Sequence, residues 1–275
     1  MPGDVILKTT KPHRKFSVNS SEGNFLGDDE MKSCILRKAL CLLAGLVLLT
    51  GCSIQTTRPL APESGPSSML PNEPVLDVPY LSQQDTLPTG CEATSAAMVL
   101  QYYGLDYSPE EVACLLPCQE LYWRNGELYG PHPDEYFVGS PFSSTGYGCY
   151  APVIARVLEQ EFPDELTVSL EYGCTIQELY QTYVAQSIPV LIWVTIDLVE
   201  PEQGTSWRLA DGSPFTWKKN EHCMVLIGRQ GDRYLCQDPY ESHGTLSLTG
   251  ELLQLRFEQM GSQAVAVMPL RGNEK

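Results

Sequence analysis

Cys91 has the residue type and the setting of a catalytic nucleophile. It follows Gly90 where a predicted turn gives way to a predicted helix. A free thiol ionises with a pKa of about 8.5, and the N–H groups of a helix N-terminus or a nearby imidazolium lower that value. We therefore predict a reactive thiolate at Cys91. A buried cysteine with only a packing role would show the same local pattern and stays an alternative.

His222 is the candidate base, because a cysteine nucleophile needs an imidazole that the fold brings from elsewhere in the chain. It opens an apolar stretch, residues 222–228, that is typical of a strand. The alternative is a histidine merely buried in the sheet. The other histidines lie in the N-terminal segment or in stretches rich in turn residues: His13, His132 and His243.

Asp238 is the candidate for the carboxylate that orients the base. It ends a second predicted strand, residues 234–238, which would form a hairpin with the strand that His222 opens. If the turn is centred on Gln230, His222 and Asp238 lie opposite each other with both side chains on one face. An aspartate that only starts the turn before Pro239 is the alternative.

Acyl transfer also needs hydrogen-bond donors for the oxyanion. The backbone N–H of Cys91 is one candidate, and the side-chain amide of Gln83 or Gln84 is another. This chemistry requires no cofactor and no metal ion. A zinc site at Cys114 and Cys118 is disfavoured because no second ligand pair has suitable spacing.

The elements that must position these residues are predicted from apolar spacing and capping residues. Helices come first and strands later, which favours an α+β fold over alternating α/β units. Ser108 and Thr175 each precede a glutamate by three residues and are predicted to start helices as capping boxes. Residues 119–150, rich in glycine, proline and aromatic residues, are interpreted as a long loop. The predicted helices span residues 91–103, 151–161 and 252–260, and further strands span 188–198 and 264–268.

Residues 31–52 predict export. A basic segment starts at Met31, and the apolar run 39–50 is twelve residues long, whereas a membrane-spanning helix needs about 20. The run ends in Leu49-Thr50-Gly51-Cys52, which resembles the lipobox of bacterial lipoproteins. We expect lipidation of Cys52 and anchoring on the extracytoplasmic face of the cell membrane; the alternative is an uncut signal anchor. The predicted regions are a misassigned extension (1–30), a lipoprotein signal (31–51), a flexible tether (52–74) and one folded domain (75–270).

The net charge of the chain excludes one class of partner. The chain has 34 acidic and 18 basic side chains and a formal net charge of −16, so we expect no nucleic-acid partner. Such a surface weakly favours cationic or neutral substrates.

Six further cysteines could pair outside the cytosol, and the sequence does not choose among the pairings: Cys114, Cys118, Cys149, Cys174, Cys223 and Cys236.

Residues 78–83 and 88–95 resemble the cysteine-peptidase motif of the bacteriocin-processing peptidase family, in particular its stand-alone, secreted members. The resemblance continues to residue 268 and includes residues 137–141, 146–152, 221–228 and 238–240. It implies a papain-like α+β fold with N-terminal helices packed on an antiparallel sheet. It also implies that Cys91 is the nucleophile, His222 the general base and then acid, Asp238 the orienting carboxylate, and Gln83 rather than Gln84 the oxyanion donor.

The resulting expectation is a lipid-anchored cysteine hydrolase that cleaves peptide or amide bonds through a thioester. Two alternatives stay open. The thioester could be captured by an amine, which would make the protein an acyl or peptidyl transferase, or the fold could serve as a non-catalytic binding module. Founding members of the family are fused to transporters and cut leader peptides after a double glycine, and that specificity is not implied for this chain.

Overall fold

The computed structural model describes residues 74–84 and 86–270. The predicted extension 1–30, the signal 31–51, the lipidation site Cys52 and the tether up to residue 73 lie outside the described residues. In the described part of the chain, none of the helices has the length and apolar character needed to cross a membrane.

Within residues 74–84 and 86–270, five α-helices form where the sequence predicts helical capping and apolar spacing. Ser108 and Thr175 both cap a helix with the reciprocal bonds of a capping box, which confirms these two predictions. The first helix is buried along nearly its whole length, with its first ten residues shielded from solvent. The helices are α1 (Cys91–Tyr102), α2 (Pro109–Ala113), α3 (Ala151–Glu161), α4 (Ile176–Thr182) and α5 (Gly250–Gln259).

An antiparallel sheet of six strands forms the main body, which confirms the α+β prediction. Its strand order is β11-β10-β9-β6-β12-β5. The central strand β6 is buried at every position, and α1 packs against its neighbour β9. The strands are β5 (Leu166–Tyr172), β6 (Val190–Thr195), β9 (Glu221–Gln230), β10 (Arg233–Asp238), β11 (Gly244–Thr249) and β12 (Gln263–Pro269).

The prediction of a long loop at residues 119–150 is wrong in part, because this region contributes strands to a second, smaller sheet. Asn125 and Gly126 both have positive φ and make the tight turn of a hairpin, as an Asn-Gly pair favours. The sheet has the order β2-β3-β7-β8, and a separate parallel pair joins β1 to β4. These strands are β1 (Cys118–Gln119), β2 (Tyr122–Arg124), β3 (Glu127–Tyr129), β4 (Phe137–Val138), β7 (Gln203–Arg208) and β8 (Pro214–Lys218).

The β9–β10 hairpin forms as predicted, but its predicted register is wrong. Leu235 pairs with Gly228 and Cys236 pairs with Leu226, so Ile227 has no partner on β10 and forms a β-bulge. Continuing this register sets Asp238 opposite Met224 rather than opposite His222.

The bulge nevertheless brings His222 and Asp238 to one face of the sheet. Side chains alternate between the two faces along a strand, so residues 222 and 224 share a face. In an uninterrupted ladder of the same sequence, Asp238 would lie opposite Val225, and His222 would point to the other face. The extra residue, Ile227, therefore places His222 and Asp238 on the same face of the sheet, as the predicted register had assumed.

Candidate active site

The predicted nucleophile lies at the first residue of α1. Gly90 occupies the N-cap position, and a side chain there would come within 2.7 Å of Leu87 Cβ. A turn between Leu87 and Gly90 therefore delivers the chain to the helix, and Leu87 itself is fully buried. The Cys91 side chain is buried as well, at 5% exposure.

The predicted base and orienting carboxylate are in contact. His222 Nε2 lies 2.6 Å from Asp238 Oδ1, and both side chains are 1% exposed. Burial raises the pKa of Asp238, but hydrogen bonds from His222, His243 and the Tyr240 N–H outweigh it and hold the pKa below its ordinary value. Asp238 is therefore an anion at neutral pH. The bond through Nε2 leaves Nδ1 as the His222 atom that can serve the thiol.

Asp238 binds a second histidine that the sequence argument had set aside as a loop residue. His243 Nδ1 lies 3.0 Å from Asp238 Oδ2, and its hydrogen bond to that carboxylate raises the His243 pKa. His243 Nε2 lies 3.8 Å from Asp197 Oδ1. Its position five residues after Asp238, across a Pro-Tyr turn, is the only signal in the sequence for this contact.

Gln83 lies at the site, whereas Gln84 is exposed. The Gln83 side chain is buried, and its Nε2 donates to the carbonyls of Leu87 and Pro88, each at 3.3 Å. Both hydrogen bonds are long, so the amide is held near the Cys91 turn by weak contacts that an oxyanion could replace. Its Oε1 is buried without a hydrogen-bond partner in the described part of the chain.

These predicted residues meet in one cleft of about 320 Å³. Gln83, Cys91 and His222 all line it, and Tyr240 and Trp217 contribute to its walls. Trp217 stacks on Tyr150 with ring centroids 5.5 Å apart. The small sheet thus supplies an aromatic wall, since Trp217 belongs to β8.

Two buried glutamates at the site were missed by the sequence argument. Glu92 and Glu221 are the chain neighbours of Cys91 and His222, and this adjacency is the one signal in the sequence that could have identified them. Glu92 Oε2 accepts a hydrogen bond from the Cys91 thiol at 3.3 Å, and Glu92 Oε1 accepts from the Cys149 N–H. Glu221 Oε1 is buried and lacks a hydrogen-bond partner among the described residues.

Burial raises the pKa values of Glu92, Glu221 and Cys91, and the repulsion between negative charges raises those of Glu221 and Cys91 further. Burial raises the pKa of Glu92 to about 7. Burial, followed by the charge of Glu92, raises the pKa of Glu221 well above its ordinary range. Burial also raises the pKa of the Cys91 thiol, and the charges of Glu92 and Glu221 raise it further.

The structure therefore differs from the predicted thiolate at Cys91. Burial and two carboxyl groups outweigh the helix dipole, so the resting group is a neutral thiol that donates to Glu92. Among the hydrogen bonds of the described residues, none joins Cys91 to His222. The seven cysteines in that part of the chain are free thiols: Cys91, Cys114, Cys118, Cys149, Cys174, Cys223 and Cys236.

Comparison with known proteins agrees with this fold. Residues 75–265 match the model of the family described as the Peptidase C39 like family. Over 195 residues the chain is 29% identical to the uncharacterized protein YvpB of Bacillus subtilis (strain 168), covering 70% of this chain and 75% of YvpB. A crystal structure of a candidate C39-like peptidase from Bacillus anthracis is 28% identical, with a TM-score of 0.63 over 71% of this chain and 97% of that one. The chain therefore belongs to the Peptidase C39-like family.

Proposed function

We propose that this protein is a cysteine hydrolase that cleaves peptide or amide bonds, with Cys91 as nucleophile, His222 as base and Asp238 as the carboxylate that orients His222. The observation that carries the proposal is the buried contact of 2.6 Å between His222 and Asp238 in the cleft that Cys91 lines. A buried histidine–carboxylate pair beside a thiol at a helix N-terminus supplies the three groups that thiol acyl transfer requires.

The reaction begins when substrate enters and the Cys91 proton passes to His222 Nδ1. The thiolate then attacks the carbonyl carbon, and the Cys91 N–H and the Gln83 amide stabilise the oxyanion. His222 donates its proton to the leaving amine as the C–N bond breaks, which leaves a thioester on Cys91. Water, deprotonated by His222, hydrolyses the thioester and restores the thiol.

The bond between Cys91 and Glu92 must break before this sequence can start. The neutral thiol donates to Glu92 Oε2, whereas productive chemistry needs the same proton on His222. Substrate that fills the cleft and excludes water is the event that would favour the exchange. The resting protein is therefore expected to react slowly with small thiol reagents.

The proposal extends to a place in the cell. We infer that the chain is anchored by a lipid on Cys52 at the extracytoplasmic face of the cell membrane, with residues 53–74 as the tether. The support is the signal pattern and the four residues that end in Cys52. Metabolic labelling with a fatty acid in the native host should label the wild-type chain and not Cys52→Ala; equal labelling of both would contradict the anchor.

The test of the hydrolase uses the full chain in mild detergent with a peptide library and mass spectrometry. Cys91→Ala and His222→Ala should each lower cleavage by about a thousandfold or more, since removal of a nucleophile or its base has effects of that size. Cys114→Ala changes an exposed thiol and is the matched control, with activity equal to wild type. Cleavage that survives Cys91→Ala would overturn the assignment.

The same assay separates the two alternative functions. If the thioester is captured by an added primary amine, the product is an amide that is heavier than the hydrolysis product by the mass of the amine minus one water. A binding module would retain peptides without any new products, and its binding would be unaffected by Cys91→Ala.

A further inference from the structure

Three potential metal ligands, one of them the proposed nucleophile, lie close together in the site. The Cys91 thiol and one carboxylate oxygen each from Glu92 and Glu221 all lie within 4.8 Å of one another, and all three residues are buried. The first two residues belong to the first turn of α1, and Glu221 is the first residue of β9. Two separate elements thus converge on one point.

Glu221 gives the independent indication that this point receives a ligand. Its side chain is more than nine-tenths buried, and its Oε1 has no hydrogen-bond partner among the described residues. A buried polar atom without a hydrogen-bond partner destabilises the folded state. Among the described residues no contact offsets that destabilisation, whereas a bound cation would.

Gly148 allows the two carboxyl groups to approach each other. A side chain at this position would lie 2.7 Å from Glu221 Oε2 and 2.7 Å from Glu92 Oε1. Gly148 also has φ +145, a conformation that residues with a side chain rarely adopt. The absence of a side chain at Gly148 therefore leaves room for the two carboxyl groups to lie side by side. Two carboxylates repel each other at this separation unless a proton or a cation lies between them.

The donor set indicates the class of ion. Mg²⁺ and Ca²⁺ take oxygen ligands only, whereas a thiolate with two carboxylates suits a borderline-soft ion such as Zn²⁺ or Cd²⁺. With metal–ligand distances of about 2.0–2.3 Å, the side chains must close by roughly 1 Å around Zn²⁺. The fourth position would be open to water.

We propose that Cys91, Glu92 and Glu221 bind one thiophilic divalent cation of the Zn²⁺ class, and that the bound ion holds the nucleophile in an unreactive form. On binding, an S–metal bond forms at Cys91. The thiol proton and any proton held by the carboxyl groups of Glu92 and Glu221 leave to solvent, with no change in oxidation state. The carboxylates of Glu92 and Glu221 complete the site. The inhibitory effect rests on the proposed function, but the binding itself does not.

The test is a Cd²⁺ titration of the full chain, followed by calorimetry and by the ultraviolet charge-transfer band of a Cd²⁺–thiolate bond. Wild type should bind one ion with this band. Cys91→Ser should abolish the band, and Glu221→Gln and Glu92→Gln, which preserve shape, should each weaken binding at least tenfold. Cys118→Ser removes an exposed thiol and should bind as wild type does.

His222→Ala distinguishes this site from an ion held by the thiol and the histidine. Affinity retained in His222→Ala and lost in Glu221→Gln supports the proposal. The reverse pattern, or wild-type affinity in both glutamine variants, overturns it. Because these readouts need no substrate, a protein that binds Cd²⁺ but cleaves nothing would contradict only the hydrolase proposal.

Discussion

The Cys91 proton has two competing acceptors, and their competition sets the reactivity of the site. Glu92 accepts it in the resting structure, whereas in the proposed reaction His222, held by Asp238, accepts it. The charges of Glu92 and Glu221 oppose formation of a second anion on sulfur. The acidic neighbours therefore suppress the thiolate.

Removing one of these charges should make the thiol more reactive. In Glu92→Gln the Cys91 pKa should fall, because the variant lacks the negative charge that opposes a thiolate. We expect alkylation of Cys91 by iodoacetamide at neutral pH to become several-fold faster, measured by mass spectrometry across a pH series. Glu120→Gln changes an exposed carboxylate outside the site and is the control. A Glu92→Gln profile that overlays wild type would contradict the suppression.

The sequence identifies a candidate site residue only where its residue type has few chemical roles in proteins. Cys91, His222 and Asp238 met that condition, and a resemblance to a known family supported them. Glu92 and Glu221 did not, because an acidic residue beside a cysteine or histidine is usually a surface residue. Only the packing of α1 against β9 brings these two carboxyl groups together and buries them.

The elements around the site were predicted better than their register. Capping boxes at Ser108 and Thr175 are local signals, so they were recognised from a few residues. The β-bulge at Ile227 has no such signal, because an extra apolar residue in an apolar strand looks like any other. The small sheet was missed because its strands are only three to six residues long and come from two distant segments.

Gly90 provides a test of how α1 is started, and Ser108, the cap of α2, provides the control. Ser108→Ala removes a helix cap and should cost about 1 kcal/mol of unfolding free energy without changing Cys91 alkylation. Gly90→Ala should cost roughly 1–3 kcal/mol, because its new side chain would overlap Leu87. Only Gly90→Ala should also alter the alkylation rate, since Cys91 follows directly. Urea unfolding and alkylation measure both; equal alkylation rates in the two variants would contradict a positioning role for the Gly90 turn.

For the whole molecule, the buried glutamates link stability to pH. Glu92 has a pKa of about 7 in the folded chain against an ordinary value of 4.5, so the folded state binds more protons between these values. Stability is therefore expected to fall as pH rises from about 4.5 to 7 and then to level off. Glu221 acts in the same direction. The lowered pKa of Asp238 acts only at lower pH, where stability is lost as that group is protonated.

The expected measurement is a higher urea midpoint at pH 5 than at pH 7.5. The free energy of unfolding of the wild type should be higher at pH 5 than at pH 7.5 by on the order of 1–3 kcal/mol. Glu92→Gln should reduce this difference, because its amide does not titrate. A variant with the same pH dependence as wild type would show that other groups dominate.

The β-bulge at Ile227 also determines which changes of length the hairpin can absorb. Ile227 is one residue more than a regular β9–β10 ladder needs. It also has no partner on β6, because the β9 residues that pair with β6 are residues 221–226. Its deletion would leave every other pair in place and would still bring His222 beside Asp238. An insertion between His222 and Gly228 would instead need a second bulge. Relatives with a shortened β9 can therefore keep the same chemistry, whereas lengthened ones must compensate elsewhere.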